Sequence, residues 1–179
     1  MHGGIAEAPL AASEWTDYKV LMTIRKLHHA AYRCRSSEQT RRFYEDFLGL
    51  PLVGAVEIGG NKVLHTFYRM ADGSALAFFD APEMPFEFKT QHDYDLHIAV
   101  EVSKADLLRM FDKGKASGIH TRGISDHGFI DSIYFRDPNG YVIELTAKRE
   151  GAERDVERAK KDARHTLDEW QAEKAKRAA

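Results

Sequence analysis

Hydrophobic and polar residues along the middle of the chain follow two alternating kinds of spacing. Apolar side chains at every second position predict β-strands, as over residues 27–33 and 96–101. Apolar side chains at steps of three and four follow each of these two strands and predict an α-helix after each. The order strand then helix therefore occurs twice, once in each half of residues 24–148.

Both predicted helices have recognisable starts. Ser36 or Ser37 can cap the first helix, which the pattern extends through Leu48. Ser103 can cap the second helix, which extends to about Ala116. A serine hydroxyl at these positions accepts a hydrogen bond from the unpaired amides of the first turn, so the caps strengthen both predictions.

One copy of an internal repeat follows each of the two predicted helices. Residues 68–77 and 135–144 each contain an apolar strand, an arginine, a turn and a second apolar strand. The turns end in Asp-Gly at Gly73 and in Asn-Gly at Gly140, dipeptides that supply the positive φ angles of two-residue hairpin turns. The sequence therefore predicts two hairpins in equivalent places.

The repeat predicts an α+β fold of two βαβββ modules, because each half contains one strand, one helix and then three strands. A proline-containing segment separates the halves, and a charged, alanine-rich segment ends the chain. The predicted bounds are an N-terminal arm over 1–23, a domain over 24–148 with modules 24–81 and 94–148 and a linker over 82–93, and a C-terminal helix over 149–179.

Strand alternation predicts which side chains face away from the helices. On strand 96–101 the face with Ile98 is wholly apolar and must pack on the helices, so His97 lies on the opposite, inner face. The repeat places His29 on the equivalent face of the first module. The same alternation adds further residues to the inner faces, namely Arg33, His65, Phe67, Ala77, Phe79, Tyr134 and Glu144.

His29, His97 and Glu144 have the chemistry of a metal site. A buried carboxylate beside two imidazoles needs compensation, and a divalent cation supplies it. Two histidines and one carboxylate leave coordination positions open for a substrate. The sequence therefore predicts a divalent metal bound by these three residues.

Composition and charge narrow the class of protein. Hydrophobic residues make up 43% and charged residues 30% of the chain, and 26 basic residues balance 28 acidic ones, which disfavours a nucleic-acid partner. The longest apolar run, Ala75–Phe79, is too short for a membrane span, and no signal peptide is visible. Cys34 has no cysteine to pair with, and its face of the strand predicts a buried thiol. We expect a cytoplasmic protein.

The C-terminal segment predicts a helix with one narrow apolar face. Val156, Ala159, Ala163, Leu167 and Trp170 recur at helical steps, and charges of both signs cover the rest. We expect this helix to pack on its own domain or on a sister subunit.

Four segments together resemble the vicinal oxygen chelate superfamily, which includes glyoxalases, fosfomycin-resistance thiol transferases, bleomycin-resistance proteins and extradiol dioxygenases. They are residues 27–33 (LHHAAYR), 40–50 (TRRFYEDFLGL), 96–98 (LHI) and 132–145 (SIYFRDPNGYVIEL). The resemblance covers roughly residues 25–147. It implies that the modules form a cupped, incomplete mixed β-barrel around a metal, with the cup completed within one chain or by exchanging modules between chains. Because both modules are present, we expect the site within one chain, possibly in a homodimer.

The resemblance implies roles for the inner-face residues. His29, His97 and Glu144 are the implied metal ligands, and Ala77, or Phe78 with a one-residue slip, stands where glyoxalases have a fourth. Tyr134 matches an active-site tyrosine of three-ligand members, and His127 lies near a histidine position of extradiol enzymes. No histidine stands at Phe78 or Phe79, where extradiol enzymes have their acid–base histidine. The candidates between His29 and His97 are therefore His65, which faces inward, and His92. The implied substrate contacts are Arg33, Phe67, Ala77 and Phe79.

Three functions fit this pattern. The first is an extradiol dioxygenase-like enzyme that acts on a small aromatic diol and binds Fe(II) or Mn(II). The second is a glyoxalase-type isomerase or lyase, for which Zn or Ni is also suitable. The third is a non-catalytic protein that binds a small molecule, as drug-resistance members do. Single-domain dioxygenase-like members are closest in pattern.

Arg33 has a second possible role. It lies on the face of His29, and in glyoxalases an arginine here contacts the glutathione carboxylate. The repeat makes Glu101 its counterpart in the second module. We therefore predict that Arg33 and Glu101 approach each other across the pseudo-twofold axis between the modules.

Overall fold

The structure is a computed structural model, which describes residues 23–60 and 62–178. Residues 1–22 of the expected N-terminal arm lie outside the described residues. The two modules follow one another along the chain in the predicted order of elements. The first contains β1 (His29–Cys34), α1 (Ser37–Arg41), a π-helical segment (Arg42–Phe47), β2 (Leu52–Ile58), β3 (Val63–Arg69) and β4 (Ala75–Asp80). The second contains β5 (His97–Glu101), α2 (Lys104–Ala116), β6 (Thr121–Asp126), β7 (Ile130–Arg136) and β8 (Val142–Lys148), and α3 (Ala152–Ala178) follows it.

Each module forms one four-stranded mixed sheet. The first sheet has the order β1-β4-β3-β2 and the second the order β5-β8-β7-β6. In both sheets the first strand of the module is parallel to the last, and the remaining pairs are antiparallel. The two sheets are not closed into a barrel, which agrees with the predicted α+β, incompletely closed architecture.

The helix starts are those that the sequence predicts. Ser36 accepts a hydrogen bond from the amide of Gln39, and Ser103 accepts one from the amide of Asp106. The first helix differs from a regular α-helix in its second half, where the amide of Leu48 donates to the carbonyl of Phe43 at π-helical spacing. This segment buries three aromatic side chains, those of Phe43, Tyr44 and Phe47.

The two repeat-related hairpins have longer turns than predicted. The amide of Met70 donates to Ser74 O and closes a loop of three residues, and the amide of Asp137 closes an equivalent loop by donating to Tyr141 O. The prediction of two-residue turns was therefore wrong, although the last loop residue, Gly73 or Gly140, has the expected positive φ. The third loop residue fits because it is a glycine, which adopts the left-handed region at little cost.

The modules contact each other through the helix-covered sides of their sheets. Phe47 packs edge-on against Phe135 with ring centroids 5.2 Å apart. The Tyr44 hydroxyl donates to Asp137 Oδ2 at 3.1 Å, and the Tyr141 hydroxyl donates to Arg33 O at 2.9 Å. These contacts form one core between the modules and leave the inner-face residues of β1 and β5, such as Ala31 and Ala99, exposed.

Cys34 is buried in this core, as predicted, and burial raises the pKa of its thiol to about 11. The thiolate is the reactive form, so the native protein should not react with a thiol-specific disulfide reagent at pH 8. We expect one thiol to react promptly once urea unfolds the chain. The reaction can be followed by absorbance, and a fast reaction of the native protein would contradict the burial of Cys34.

The C-terminal helix is present, but it is not packed along its own domain. Ala152 is buried at its start, and every described side chain from Val156 to Arg177 is exposed. No helix among the described residues is long and apolar enough to cross a membrane.

Candidate metal centre

The inner face of the second sheet carries a row of four residues at one level. Strand pairing aligns Ala99 on β5 with Glu144 on β8, Glu144 with Tyr134 on β7, and Tyr134 with Arg122 on β6. Neighbouring residues in such a row point to the same face of a sheet. The register therefore brings a carboxylate, a phenol and a guanidinium together from three separate strands.

His97 and Glu144 form the closest pair of potential metal ligands in this row. His97 lies two residues before Ala99 on β5, and its Nε2 atom is 3.3 Å from Glu144 Oε2. The Glu144 side chain is only 8% exposed, whereas that of His97 is 42% exposed. A buried carboxylate thus faces an imidazole that solvent can reach.

The hydrogen bonds of His97 fix which of its nitrogens faces Glu144. His97 Nδ1 lies 2.7 Å from the carbonyl oxygen of Asp93, which can only accept, so Nδ1 carries the proton. In the neutral ring Nε2 then directs a lone pair at Glu144, an arrangement that a cation between the two groups stabilises. Two ligand atoms about 2.1 Å from one metal lie roughly 3.0–3.4 Å apart at octahedral or tetrahedral angles, which fits the observed spacing.

Tyr134 connects Glu144 to a second histidine. The Tyr134 hydroxyl donates to Glu144 Oε1 at 3.2 Å, and His127 Nε2 lies 2.8 Å from the same hydroxyl. Because the phenol proton is directed at Glu144, His127 donates from Nε2 to the phenol oxygen. Burial, followed by the charge of Glu144, raises the pKa of the Tyr134 phenol above its ordinary value. Tyr134 is therefore a protonated hydrogen-bond donor at neutral pH.

Asp93 and Arg122 support this site, and the sequence did not single them out. The Asp93 carbonyl holds His97, and its carboxylate forms an ion pair with Arg122. The Arg122 guanidinium lies over the Tyr134 ring, 4.1 Å from its centroid. Asp93 is the last residue of the predicted linker over 82–93. In the sequence Asp93 is marked only by its position four residues before His97. The contact between the Asp93 carbonyl and His97 becomes apparent only in the folded loop.

The inner face of the first sheet carries a separate cluster of histidine and aromatic rings. His65 is buried and stacks on Phe79 with ring centroids 3.8 Å apart, and Phe67 lies 4.2 Å from it on the other side. The His29 ring lies edge-on to both His65 and Phe67, at 6.1 and 5.6 Å. His65 Nε2 is buried without a hydrogen-bond partner, and burial, followed by the neighbouring His29, lowers the pKa of His65.

The first sheet has small or apolar residues where the second has its polar row. Ala77 pairs with Phe67 across β4 and β3, as Glu144 pairs with Tyr134 across β8 and β7. Ala77 thus lies on the inner face at the level of Glu144, whereas Phe78 points into the core. This settles the one-residue ambiguity in favour of Ala77, which has no metal-binding atom.

The three predicted ligands do not meet within one chain. Among residues 23–60 and 62–178, no three histidine, cysteine, aspartate or glutamate side chains could hold one metal ion together. His97 and Glu144 meet on the second sheet, while His29 stays beside His65 on the first. The expectation of a site complete within one chain is therefore not met, because the modules pack through their helix-covered sides. The ligand set itself remains a prediction.

Arg33 does not approach Glu101 in the chain. Its Nη2 atom donates to the carbonyls of Ala81 and Met84, both at 2.8 Å, and the guanidinium lies 5.2 Å from the Phe86 ring centroid. Glu101 instead forms an ion pair with Lys148 at 3.3 Å. The predicted pair was wrong because the loop after β4 offers Arg33 two carbonyl acceptors close to its own strand.

Paired βαβββ modules with these inner-face histidine and glutamate residues define a class, the vicinal oxygen chelate proteins. The chain belongs to the Glyoxalase/Bleomycin resistance protein/Dioxygenase superfamily, whose family model matches residues 26–145.

Similar proteins of this superfamily differ in activity. The chain is 28% identical over 135 residues to a Bacillus subtilis (strain 168) protein named "Putative ring-cleaving dioxygenase MhqA". That match covers 73% of this chain but only 42% of the relative. A glyoxalase/dioxygenase from Nostoc punctiforme shares the fold, with a TM-score of 0.58 and 21% identity over 81% of this chain and 99% of its own. So does a mutant of the fosfomycin resistance protein FosX from Listeria monocytogenes, complexed with Mn(II) and 1S,2S-dihydroxypropylphosphonic acid, with a TM-score of 0.55 and 17% identity over 73% of this chain and 98% of its own.

Proposed function

We propose that the protein is a metal-dependent enzyme that binds the two vicinal oxygens of a small aromatic diol and cleaves the ring with dioxygen. The observation that carries this proposal is the convergence of His97 Nε2 and Glu144 Oε2 at 3.3 Å, with the His97 proton held on the opposite nitrogen. Fe(II) or Mn(II) fits this nitrogen and oxygen donor set. The similarity to a ring-cleaving dioxygenase and to a Mn(II)-containing protein supports the same chemistry.

In this proposal His97 and Glu144 would hold the metal, and the bound divalent ion would supply the positive charge that lowers the pKa of the diol oxygens. Tyr134 donates a hydrogen bond to the Glu144 carboxylate and lies next to the substrate oxygens. His127 donates a hydrogen bond to the Tyr134 oxygen and so keeps the phenol proton directed at Glu144. Asp93 keeps the His97 lone pair aimed at the metal.

The first sheet of a second copy supplies the opposite wall of the substrate site. There Phe67 and Phe79 offer a partly exposed apolar surface around the buried Ala77, which suits an aromatic ring. His65 carries an unpartnered buried Nε2, and its lowered pKa favours the neutral base at pH 7. We assign His65 the acceptance of a substrate proton.

We propose that His29 reaches the metal from a second copy of the chain. His29 is exposed on the inner face of β1, and His97 is exposed on the inner face of β5. Because the modules of one chain contact each other on the helix-covered side, a second copy can lay its first sheet over the second sheet of this one. Two equivalent metal sites then form in a symmetric dimer.

Mixing two inactive variants tests this arrangement. A dimer of one His29→Ala chain and one Glu144→Gln chain contains one doubly altered site and one site with all three ligands native. We expect each variant alone to bind Mn(II) weakly and the mixture, after partial unfolding and refolding together, to regain up to one tight site per mixed dimer. Absence of any recovery in verified mixed dimers would contradict the shared site.

Oxygen uptake tests the proposed reaction. We expect the protein, loaded with Fe(II) without air and then given oxygen and a panel of catechols, to consume oxygen and form yellow ring-fission products. A metal-loaded protein that shows only background oxygen uptake would contradict the dioxygenase. Oxygen-independent isomerisation with Zn or Ni would indicate a glyoxalase-type enzyme, although Ala77 offers no fourth ligand.

Tyr134→Phe separates binding of the metal from turnover. The substitution removes one hydroxyl that contacts Glu144 and His127 and keeps the ring beneath Arg122. We expect kcat at saturating Mn(II) to fall by about 100-fold, the effect of losing one well-placed donor, while Mn(II) affinity falls by only about 10-fold, the lower end of the range for residues that support a ligand. Equal kcat values for the variant and the native protein would remove Tyr134 from the reaction.

A further inference from the structure

The C-terminal helix α3 is a 27-residue element, about 40 Å long, without support from its own domain. All its described side chains from Val156 onward are exposed, including Val156 (46%), Leu167 (46%) and Trp170 (60%). Helices in proteins gain most of their stability from packing an apolar face. An exposed tryptophan on a regular apolar face therefore indicates a missing partner.

Residues of α3 at heptad spacing form a face that is apolar except at Thr166 and Glu173. Val156, Ala163 and Trp170 take the first core position, and Ala159, Thr166 and Glu173 take the second. We call these six residues the α3 seam. Two shallow cavities of about 540 and 520 Å³ run along it, the first between α3 and the turn His127–Phe129, and the second beside Trp170.

We propose that the α3 seam pairs in parallel with the α3 seam of a second copy of the chain. Charges beside the seam select this orientation. One flank carries Asp155, Asp162 and Glu169, and the other carries Lys160, Leu167 and Lys174. A parallel pair brings Asp155 to Lys160 and Glu169 to Lys174 of the other copy. An antiparallel pair would bring acid against acid and lysine against lysine.

The charge balance of α3 disfavours a membrane as the partner. The helix has eight basic and seven acidic residues, whereas helices that lie on anionic membranes have a polar face rich in lysine and arginine. The pairing uses none of the proposed metal ligands, so it stands independently of the proposed function.

A cysteine crosslink in the full chain tests the parallel pair. Glu173→Cys puts a thiol in the α3 seam, and Asp168→Cys puts one on the opposite face of the same helix. Cys34 is buried, so it contributes little background. Under mild oxidation at micromolar concentration we expect Glu173→Cys to form a disulfide-linked dimer about 100-fold faster than Asp168→Cys, because paired thiols have millimolar effective concentrations. Equal rates for the two variants would overturn the proposal.

Charge reversal tests the orientation separately. Glu169→Lys should weaken the association of two copies roughly 10-fold. The introduced lysine then faces Lys174 of the other copy, and this repulsion occurs at two places in the dimer. Adding Lys174→Glu should restore the association. Stronger association of Glu169→Lys would indicate an antiparallel pair and overturn the proposal. Binding of an uncrosslinked monomer to vesicles of anionic phospholipid would assign the α3 seam to a membrane and also overturn it.

Discussion

Replacing Glu144 by glutamine is expected to lower the affinity for Mn(II) or Fe(II) by at least about 100-fold, the upper range for residues that only support a ligand. Glu144 is the buried, negatively charged member of the proposed ligand set, and it lies 3.3 Å from the His97 nitrogen. Glutamine keeps the size of the side chain and an acceptor for the Tyr134 hydroxyl but loses the charge. Equilibrium dialysis with Mn(II) measures the affinity, and circular dichroism verifies the fold.

Glu101→Gln is the matched control for this prediction. Glu101 lies on the same inner face of the second sheet, but it is exposed and contacts Lys148 rather than His97. An exposed ion pair of this kind contributes little. Glu101→Gln should therefore bind Mn(II) like the native protein. If both variants bound the metal equally well, Glu144 would not be a ligand.

Replacing Gly140 by alanine is expected to reduce the free energy of unfolding by about 2–5 kcal/mol. Gly140 has a φ of +98°, which costs a non-glycine residue about 1–2 kcal/mol. A Cβ atom there would also overlap the carbonyl oxygen of Lys89, and such overpacking costs about 1–3 kcal/mol more. The linker holds this position, because the Gln91 amide donates to Gly140 O. Urea unfolding followed by far-ultraviolet circular dichroism measures the change.

Gly73→Ala is the repeat-related control. Gly73 has a similar φ of +83°, but a Cβ atom there would meet only the flexible ends of Lys26 and Arg69. Its cost should be limited to about 1–2 kcal/mol for the backbone conformation. Equal losses for Gly73→Ala and Gly140→Ala would mean that the linker does not press on the second turn.

The internal repeat was the source of most predictions about the fold. It predicted the element order and the inner face for His97, and the serines predicted caps at Ser36 or Ser37 and at Ser103, because strand alternation and capping are local properties. The sequence also placed Tyr134 and Glu144 on the same inner face. The turn lengths were missed, because Asp-Gly and Asn-Gly also end three-residue loops.

The relation between the modules could not be predicted, because it depends on contacts between distant residues. The aromatic residues Tyr44 and Phe47 fit the second module through Asp137 and Phe135, and no local pattern indicates that choice. It separates His29 from His97 within the chain. Arg33 was misassigned for a related reason, since its acceptors lie in a loop whose path the sequence does not specify.

Anomalous diffraction from crystals of the Mn(II)-loaded protein tests the proposed metal centre most directly. The account predicts one anomalous peak within about 2.3 Å of His97 Nε2 and Glu144 Oε2, with His29 of a second copy as the third protein ligand. A peak instead beside His29 and His65 of one chain, or no peak beside Glu144 in crystals that contain the metal elsewhere, would contradict the account.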